Sequence, residues 1–273
     1  MGLCNTKDKY SAVSKTPKNE VKLEVKHIKT KNTNYYGEIL KEQPHGTGTM
    51  IVNRGKGEET KYVGQWKNGT FISGEKHISD KIFKGNFTDG HLHGYGTKII
   101  NKKDQIIKYE GNFHNGVENG PFKSWNNDKL EFDGIMINGN MVNGTTYGQK
   151  GMTYTGDLCY GKPQGKGTVK CYYEHSGDFF DGASHGYGKR KWENGDTYEG
   201  NIVKANLQGQ GTYTFADGTS LSGIFTYDEQ YKSSWIDKDS GKFYPIYCKI
   251  DEKYHHRVIM KDNKWTCSCC EQK

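Results

Sequence analysis

The sequence predicts an all-β protein: an elongated single-sheet solenoid of about nine antiparallel β-hairpin repeats with a short capping segment at each end. Three observations carry that prediction. An aromatic, a spacer, a glycine, a spacer and a hydrophobe recur along the chain, as in Tyr109-Glu110-Gly111-Asn112-Phe113, Tyr154-Thr155-Gly156-Asp157-Leu158 and Tyr198-Glu199-Gly200-Asn201-Ile202. A glycine-bearing turn and often a Gly-x-Gly pair follow, and self-similarity of this kind marks stacked supersecondary units. The mean hydropathy of −0.94 would by itself argue against burial. It is offset by 19 Tyr, 11 Phe and 5 Trp, whose rings supply large apolar area at regular positions.

The chain opens Met1-Gly2-Leu3-Cys4-Asn5-Thr6-Lys7. Loss of Met1 exposes Gly2, and Thr6 holds the Ser/Thr position of the N-myristoylation pattern. One myristoyl chain binds membranes only marginally, so a second signal is needed. Cys4 is a candidate for palmitoylation. Lys7, Lys9, Lys15, Lys18 and Lys22 add positive charge, each worth about 1 kcal/mol near an anionic surface. Residues 1–19 therefore read as a flexible, basic, acylated tail. A chance Met-Gly start with a solvated lysine tail is the bland alternative, and the coincidence of Gly2, Cys4 and Thr6 outweighs it. Lys7 and Lys9 are not followed by the apolar run of a secretory signal, and no stretch is long enough to span a bilayer. The expected location is intracellular, on the cytoplasmic face of a membrane, with the plasma membrane or cortex ahead of a cilium.

Residues 20–34 read as an N-terminal capping strand, because Val21, Leu23 and Val25 alternate with Lys22, Glu24 and Lys26, and charges guard an open edge. Residues 35–228 hold the repeats. Their first glycines fall at Gly37, Gly64, Gly85, Gly111, Gly134, Gly156, Gly177, Gly200 and Gly223, at spacings of 21 to 27 residues. The variation predicts insertions in turns, at Asn53 to Thr60 and Asn101 to Gln105. Within a unit the period is two, so Tyr109, Gly111 and Phe113 share one strand face. Asn115-Gly116 and Asp89-Gly90 mark turns, and a second strand follows, as in Gly165-x-Gly167-x-Val169. A bare Cα leaves a flat seat for an aromatic ring from a neighbouring strand. Two strands per repeat at about 4.8 Å each give roughly 85 Å for nine repeats.

The pattern Tyr-x-Gly-x-(Phe/Trp/Leu/Ile)-x-x-Gly-x-x-x-Gly-x-Gly, seen at Phe83 to Gly96 and Tyr154 to Gly167, resembles the MORN (membrane occupation and recognition nexus) repeat. The resemblance covers roughly Tyr35 to Phe225. Departures occur: His175 and Leu221 stand at aromatic positions, and the second and fifth units, with Gly74-Glu75-Lys76 and Gly144-Thr145-Thr146, lack the second glycine. The resemblance implies a sheet solenoid used for scaffolding, dimerisation and, in several members, contact with membranes or phosphoinositides. It also implies locations such as the cell cortex, cilia or membrane junctions.

Residues 229–273 read as a C-terminal cap and Cys-rich tail, with β-like stretches at Lys242 to Tyr247 and Arg257 to Met260. Cys267, Cys269 and Cys270 precede Glu271-Gln272-Lys273, which rules out a prenylation box. Their spacing does not fit ordinary zinc modules, leaving a reduced tail or palmitoylation as the readings.

No chemistry emerges. The Gly-x-Gly pairs lack Gly-x-x-x-x-Gly-Lys-Ser/Thr and no helix follows them. His45, His93 and His185 precede such pairs, which indicates a turn or packing role, and Asp89, Asp181 and Glu199 read as turn formers or solvated charges. MORN-type repeats accompany phosphoinositide kinases and a SET-type methyltransferase, but the remaining residues are too few for either catalytic domain. The expected function is a non-enzymatic, membrane-tethered scaffold or adaptor. The alternative is a phosphoinositide- or phospholipid-binding module, or a regulatory partner of a lipid kinase. Expected partners are anionic phospholipid through the acylated tail, proteins along the sheet, and a second copy of the chain. No nucleic acid, cofactor or metal is expected.

Overall fold

The computed structural model describes residues 23–55 and 57–228 and, beyond them, the strand segments named below. Strand β1 (Glu24–Lys29) precedes the hairpins β2–β3 (Thr33–Leu40, Gln43–Asn53), β4–β5 (Glu59–Lys67, Thr70–Ile78) and β6–β7 (Lys81–Thr88, His91–Lys102). There follow β8–β9 (Gln105–His114, Val117–Asn126), β10–β11 (Lys129–Ile137, Asn140–Tyr147) and β12–β13 (Thr153–Cys159, Lys162–Lys170). Then come β14–β15 (Tyr173–Phe180, Ala183–Trp192), β16–β17 (Thr197–Val203, Asn206–Thr214), β18–β19 (Ser220–Asp228, Lys232–Ile236) and β20 (Phe243–Pro245). Each pairs antiparallel with the next in sequence, giving one open 20-stranded meander. The pairs β21–β22 (Cys248–Ile250, Lys253–His255) and β23–β24 (Val258–Lys261, Lys264–Cys267) form separate two-stranded ribbons. The one helical element among the described residues is a 3₁₀ turn at Gln149–Gly151. The fold is the single-sheet hairpin solenoid the sequence predicts.

A row of glycines crosses the sheet. Gly37 pairs with Gly48, Gly48 with Gly64, Gly64 with Gly74, Gly74 with Gly85, Gly85 with Gly96 and Gly96 with Gly111. Phe122 takes the next place, and the row resumes through Gly134, Gly144, Gly156, Gly167, Gly177, Gly188, Gly200, Gly211 and Gly223. Facing backbones touch along it: a Cβ on Gly177, for example, would collide with the Tyr187 carbonyl and the Gly188 Cα. In the Gly-x-Gly pairs the second glycine belongs to this row.

The first glycine of the pair has a different task. Gly46, Gly94, Gly165, Gly186 and Gly209 lie in the left-handed region, at φ from +65° to +102°, where a bulge shifts the register of their hairpins. The second and fifth units therefore lack the bulge glycine and keep the row glycine, Gly74 or Gly144. Their hairpins are also one residue shorter: Gly64 to Gly74 and Gly134 to Gly144 span ten positions, where Gly37 to Gly48 and Gly156 to Gly167 span eleven.

Most within-unit turns are two residues with both φ positive, including Lys41-Glu42, Asn68-Gly69, Asp89-Gly90, Asn115-Gly116, Tyr160-Gly161 and Lys204-Ala205. That conformation matches the right-handed twist of the strands. The two predicted insertions behave differently. Residues 54–55 and 57–58 do lie in a loop, but Asn101 pairs with Ile106 and Lys102 with Gln105, so the second insertion lengthens β7 and β8. In the capping strand the partner decides which side chains face the core. Ile28 lies opposite Tyr35 and packs on the core, while Val25 faces out at 61% exposure. The register of β1 with β2 puts even-numbered residues on the core face, and register outweighs the local apolar alternation.

Candidate functional site

The aromatic face is built from the repeat positions. Tyr35, Tyr154 and Tyr198 each lie across the two row glycines of their own hairpin, so that a Cβ at Gly48, Gly167 or Gly211 would strike the ring. Each phenol donates to the carbonyl three residues on, Glu38 at 2.6 Å, Asp157 at 2.7 Å and Asn201 at 2.8 Å. Each ring then meets, edge-on, a ring of the next unit: Tyr35 with Trp66 at 5.6 Å, Tyr154 with Phe179 at 4.9 Å, Tyr198 with Phe225 at 5.1 Å. Burial, and Asp157 after it, pushes the Tyr154 phenol up to about 12. Phe132 covers Gly134 and Gly144 in the same way, and His175 covers Gly188.

Tyr109 is not seated so. Phe122 fills the row position beside Gly111 and is buried against Phe113 at 5.4 Å, leaving Tyr109 partly buried at 6.2 Å from it. Lysines interleave here. Lys98 Nζ stands 5.2 Å over the Tyr109 ring, and Lys76 Nζ stands 5.6 Å over Tyr62 and donates to the Gly90 carbonyl at 2.6 Å. Burial, with Arg54 after it, holds the Lys76 pKa below its ordinary value.

Near the end of this row is a polar insertion that sequence reading took for a mere departure. His175 and Arg190 pair across β14–β15 and both are buried. Arg190 lies 4.4 Å from the Tyr173 ring and donates to the Ala205 carbonyl at 3.1 Å and Ser184 Oγ at 3.2 Å. Neither nitrogen of His175 has a hydrogen-bond partner. Burial, then the Arg190 charge, pushes its pKa down to about 4. The imidazole is a neutral filler of an aromatic seat.

The opposite face is polar and joins unit to unit. Across the junctions, Glu75 meets Lys84 at 2.8 Å, Lys123 meets Asp133 at 2.8 Å and Lys189 meets Glu199 at 3.0 Å. At other junctions hydroxyls take over: Thr145 with Thr155, Thr168 with Ser176 and Thr212 with Ser222, at 2.8, 2.8 and 2.9 Å. A shallow cavity of about 760 Å³ opens on this face, lined by Glu174, Ser176, Lys189, Thr197, Glu199 and Thr212 among others. Glu199 there also accepts from the Tyr187 hydroxyl at 3.1 Å. The Lys189 hydrogen bond first, and Tyr187 after it, hold the Glu199 pKa below its ordinary value. No activated nucleophile results from that arrangement. Among the described residues no group of three or more His, Cys, Asp or Glu could hold a metal.

Of the histidines before Gly-x-Gly, His45 and His93 reach toward the next hairpin tip and His185 stays at its own. His45 Nδ1 accepts from the Asn68 N–H at 3.4 Å, His93 Nδ1 lies 3.2 Å from Asn115 Oδ1, and the His185 ring is tilted 6.0 Å from that of Phe180. Gly2, Cys4, Lys7, Lys9, Lys15, Lys18, Lys22, Cys269 and Cys270 lie outside the described residues, and of Cys267 only the backbone, paired with Val258, is described. Cys159 and Cys171 are free thiols.

An open ribbon of stacked hairpins, sealed ring against glycine on one face and residue pair against residue pair on the other, defines a β-solenoid repeat protein. Residues 62–71, 83–104, 109–121, 175–197 and 198–220 match the family model of the MORN repeat, and the hairpins between those segments carry the same glycine row. The chain is a MORN-repeat protein. Comparison with curated proteins gave no match. MORN repeats are in general non-catalytic modules that associate with membranes or lipid or dock proteins.

Proposed function

We propose that the protein is a non-enzymatic, membrane-associated scaffold, tethered through its N-terminal tail and displaying the repeat sheet to protein partners. One observation carries the reading: a single-layer sheet holds its stability in ring-on-glycine seats and leaves a whole polar face free for contact, without an enclosed reaction chamber. Acylation at Gly2 and Cys4, with Lys7, Lys9, Lys15, Lys18 and Lys22 adding attraction to anionic lipid, supplies the two signals that stable attachment needs. Cys267, Cys269 and Cys270 are candidates for a further acylated site, and the cytoplasmic face of the plasma membrane is the proposed location.

The test is metabolic labelling with an alkyne myristate and membrane fractionation of Gly2→Ala, Cys4→Ser and the Cys267/Cys269/Cys270→Ser triple variant. Gly2→Ala is expected to lose the label and become soluble. Full retention in the pellet would defeat the tether. A chain beginning near Asn34 distinguishes the scaffold from a phosphoinositide-binding module, since selective binding of phosphoinositide vesicles by it would favour the module.

A further inference from the structure

We infer that one long edge of the ribbon is a second membrane contact, in which four consecutive hairpin tips seat apolar side chains in the interfacial zone of an anionic bilayer. The inference rests on the membrane-tethered reading above.

The ribbon has two long edges, one made of within-unit turns and the other of between-unit turns. On the within-unit edge the tips of β8–β9, β10–β11, β12–β13 and β14–β15 present Val117, Ile137, Tyr160 and Phe180, exposed by 44%, 50%, 82% and 61%. The residues just before the last three, Met136, Cys159 and Phe179, include two buried core members, so Ile137 and Phe180 point away from the aromatic face. At about 10 Å per hairpin the row is roughly 30 Å long.

Tyr160 is the odd residue of the row. It sits in the left-handed region at φ +49°, where the corresponding turn position holds Lys41, Asn68, Asp89, Asn115, Asn138, Asp181 or Lys204. An aromatic side chain is disfavoured there, and its ring gains little burial in return. Charge on the same edge favours anionic lipid. Lys204 at the adjoining β16–β17 tip, and Lys41 and Lys67 at the more distant β2–β3 and β4–β5 tips, have no carboxylate partner among the described residues. Of the acidic tip residues, Glu42 and Asp181 are neutralised by Lys26 at 2.8 Å and Lys162 at 2.6 Å, while Asp89 at the β6–β7 tip has no ion-pair partner among the described residues. Protruding apolar side chains on an edge that also carries unpaired lysines suit an interfacial contact.

Chain entry provides an independent reason for a bilayer as the occupant. Glu24 pairs with Ile39, one residue before the end of β2, so Leu23 enters the sheet at this same long edge, next to the Lys41-Glu42 tip. Residues 1–22, with Gly2 and Cys4, are joined there. An anchor at one end and an apolar row farther along the same edge would hold the ribbon lengthwise on a membrane. The four side chains stand on hairpin tips, and none lines the cavity of about 760 Å³ on the polar face. A soft planar surface accepts such protrusions without a matching pocket. The opposite edge also exposes Ile106, Met152 and Tyr172, but the Asn127-Asp128 turn interrupts that series, and Met152 folds back over Gly148.

The experiment uses the full chain, made with and without myristoylation, and vesicles of phosphatidylcholine with one-fifth phosphatidylserine. The double variant Tyr160→Asp/Phe180→Asp should keep the wild-type melting temperature, because both side chains are exposed, and should bind vesicles about tenfold more weakly. Ile106→Asp/Tyr172→Asp on the other edge should change binding less than twofold. Hydrogen exchange of the bound wild-type chain should gain protection at residues 137–142, 159–163 and 180–184. Wild-type vesicle binding by the tip variant, with no protection at the tips, overturns the inference and leaves the tether standing. Gly2→Ala binding as tightly as wild type defeats the tether instead. A tip variant that lowers the molar mass in light scattering at unchanged vesicle affinity makes the row a contact between copies, and the inference fails.

Discussion

Asp178 accepts the backbone N–H of Tyr187 across the β14–β15 bulge through one carboxylate oxygen, at 3.2 Å, while the other takes Lys166 Nζ at 2.5 Å. Asp157 repeats the arrangement on the Lys166 N–H at 3.2 Å, and Glu38 on Thr47 N–H. The bulge frees a backbone donor, and the residue after the first-strand glycine supplies its acceptor. Where no left-handed bulge glycine exists, in the fifth unit, that residue is Ile135.

The Lys166 hydrogen bond first, with the Tyr187 N–H after it, holds the Asp178 pKa below its ordinary value. A carboxylate depressed in the folded state adds stability above its unfolded pKa, and that stability is lost as pH falls through the folded pKa. Asp178→Ala is therefore expected to cost about 1 kcal/mol at neutral pH and much less in acid. Urea melts at pH 7 and pH 3 check this; equal losses at both would disprove the bulge-acceptor role.

The glycine row predicts a sharp contrast between two substitutions of the same kind. Gly167 has no unusual φ, yet a Cβ there enters the Tyr154 ring, whereas at Gly218 (φ +88°) a Cβ meets nothing within 4 Å. Gly167→Ala should cost about 3 kcal/mol through overpacking, and Gly218→Ala about 1 kcal/mol through backbone strain alone. Thermal denaturation of the two variants decides it, and a larger loss at Gly218 would mean that conformation, not ring seating, governs the row.

Phe122 breaks the row, and repeat logic would restore a glycine there. The geometry argues the reverse. Phe122 is buried against Phe113 and flanked by Tyr109, whose own ring is not seated over the glycines. Phe122→Gly should empty that site and destabilise by about 4 kcal/mol. A melting temperature at or above wild type would show that Tyr109 can swing into the vacated seat.

Why some of this was legible beforehand and some was not follows from range. The period-two strands, the hairpin turns and the glycine positions are local, and Tyr154-x-Gly156 states its own packing because both glycines under the ring lie in its own hairpin. The Gly-x-Gly pair was read as one feature, although Gly165 makes a bulge and Gly167 joins the row. Hairpin length was the available signal: ten positions instead of eleven accompany the missing bulge glycine. The acceptor role of Asp157 and Asp178 was hidden because an acid beside a glycine also suits a solvated strand face. The face that Val25 takes could not be read locally, since the register of β1 is set by its partner strand.

The last prediction concerns His175, which is 1% exposed on the aromatic face beside Arg190. Its pKa falls to about 4 through burial, then through the Arg190 charge, with Asp178 acting weakly the other way. The unfolded chain binds the histidine proton near pH 6.5 and the folded chain does not, so the unfolded state carries more protons between those values. Stability should therefore be full above pH 6.5 and fall as pH drops toward 4, by at most about 3 kcal/mol from this group. His175→Phe places a ring in the same seat without a titrating nitrogen, as Phe132 does in its own unit. Its stability should lack that part of the pH dependence while remaining close to wild type at pH 7.5. Urea unfolding of both chains at half-unit steps from pH 7.5 to 4 measures the difference, and parallel curves would show that His175 is protonated within the fold or plays no part in its acid sensitivity.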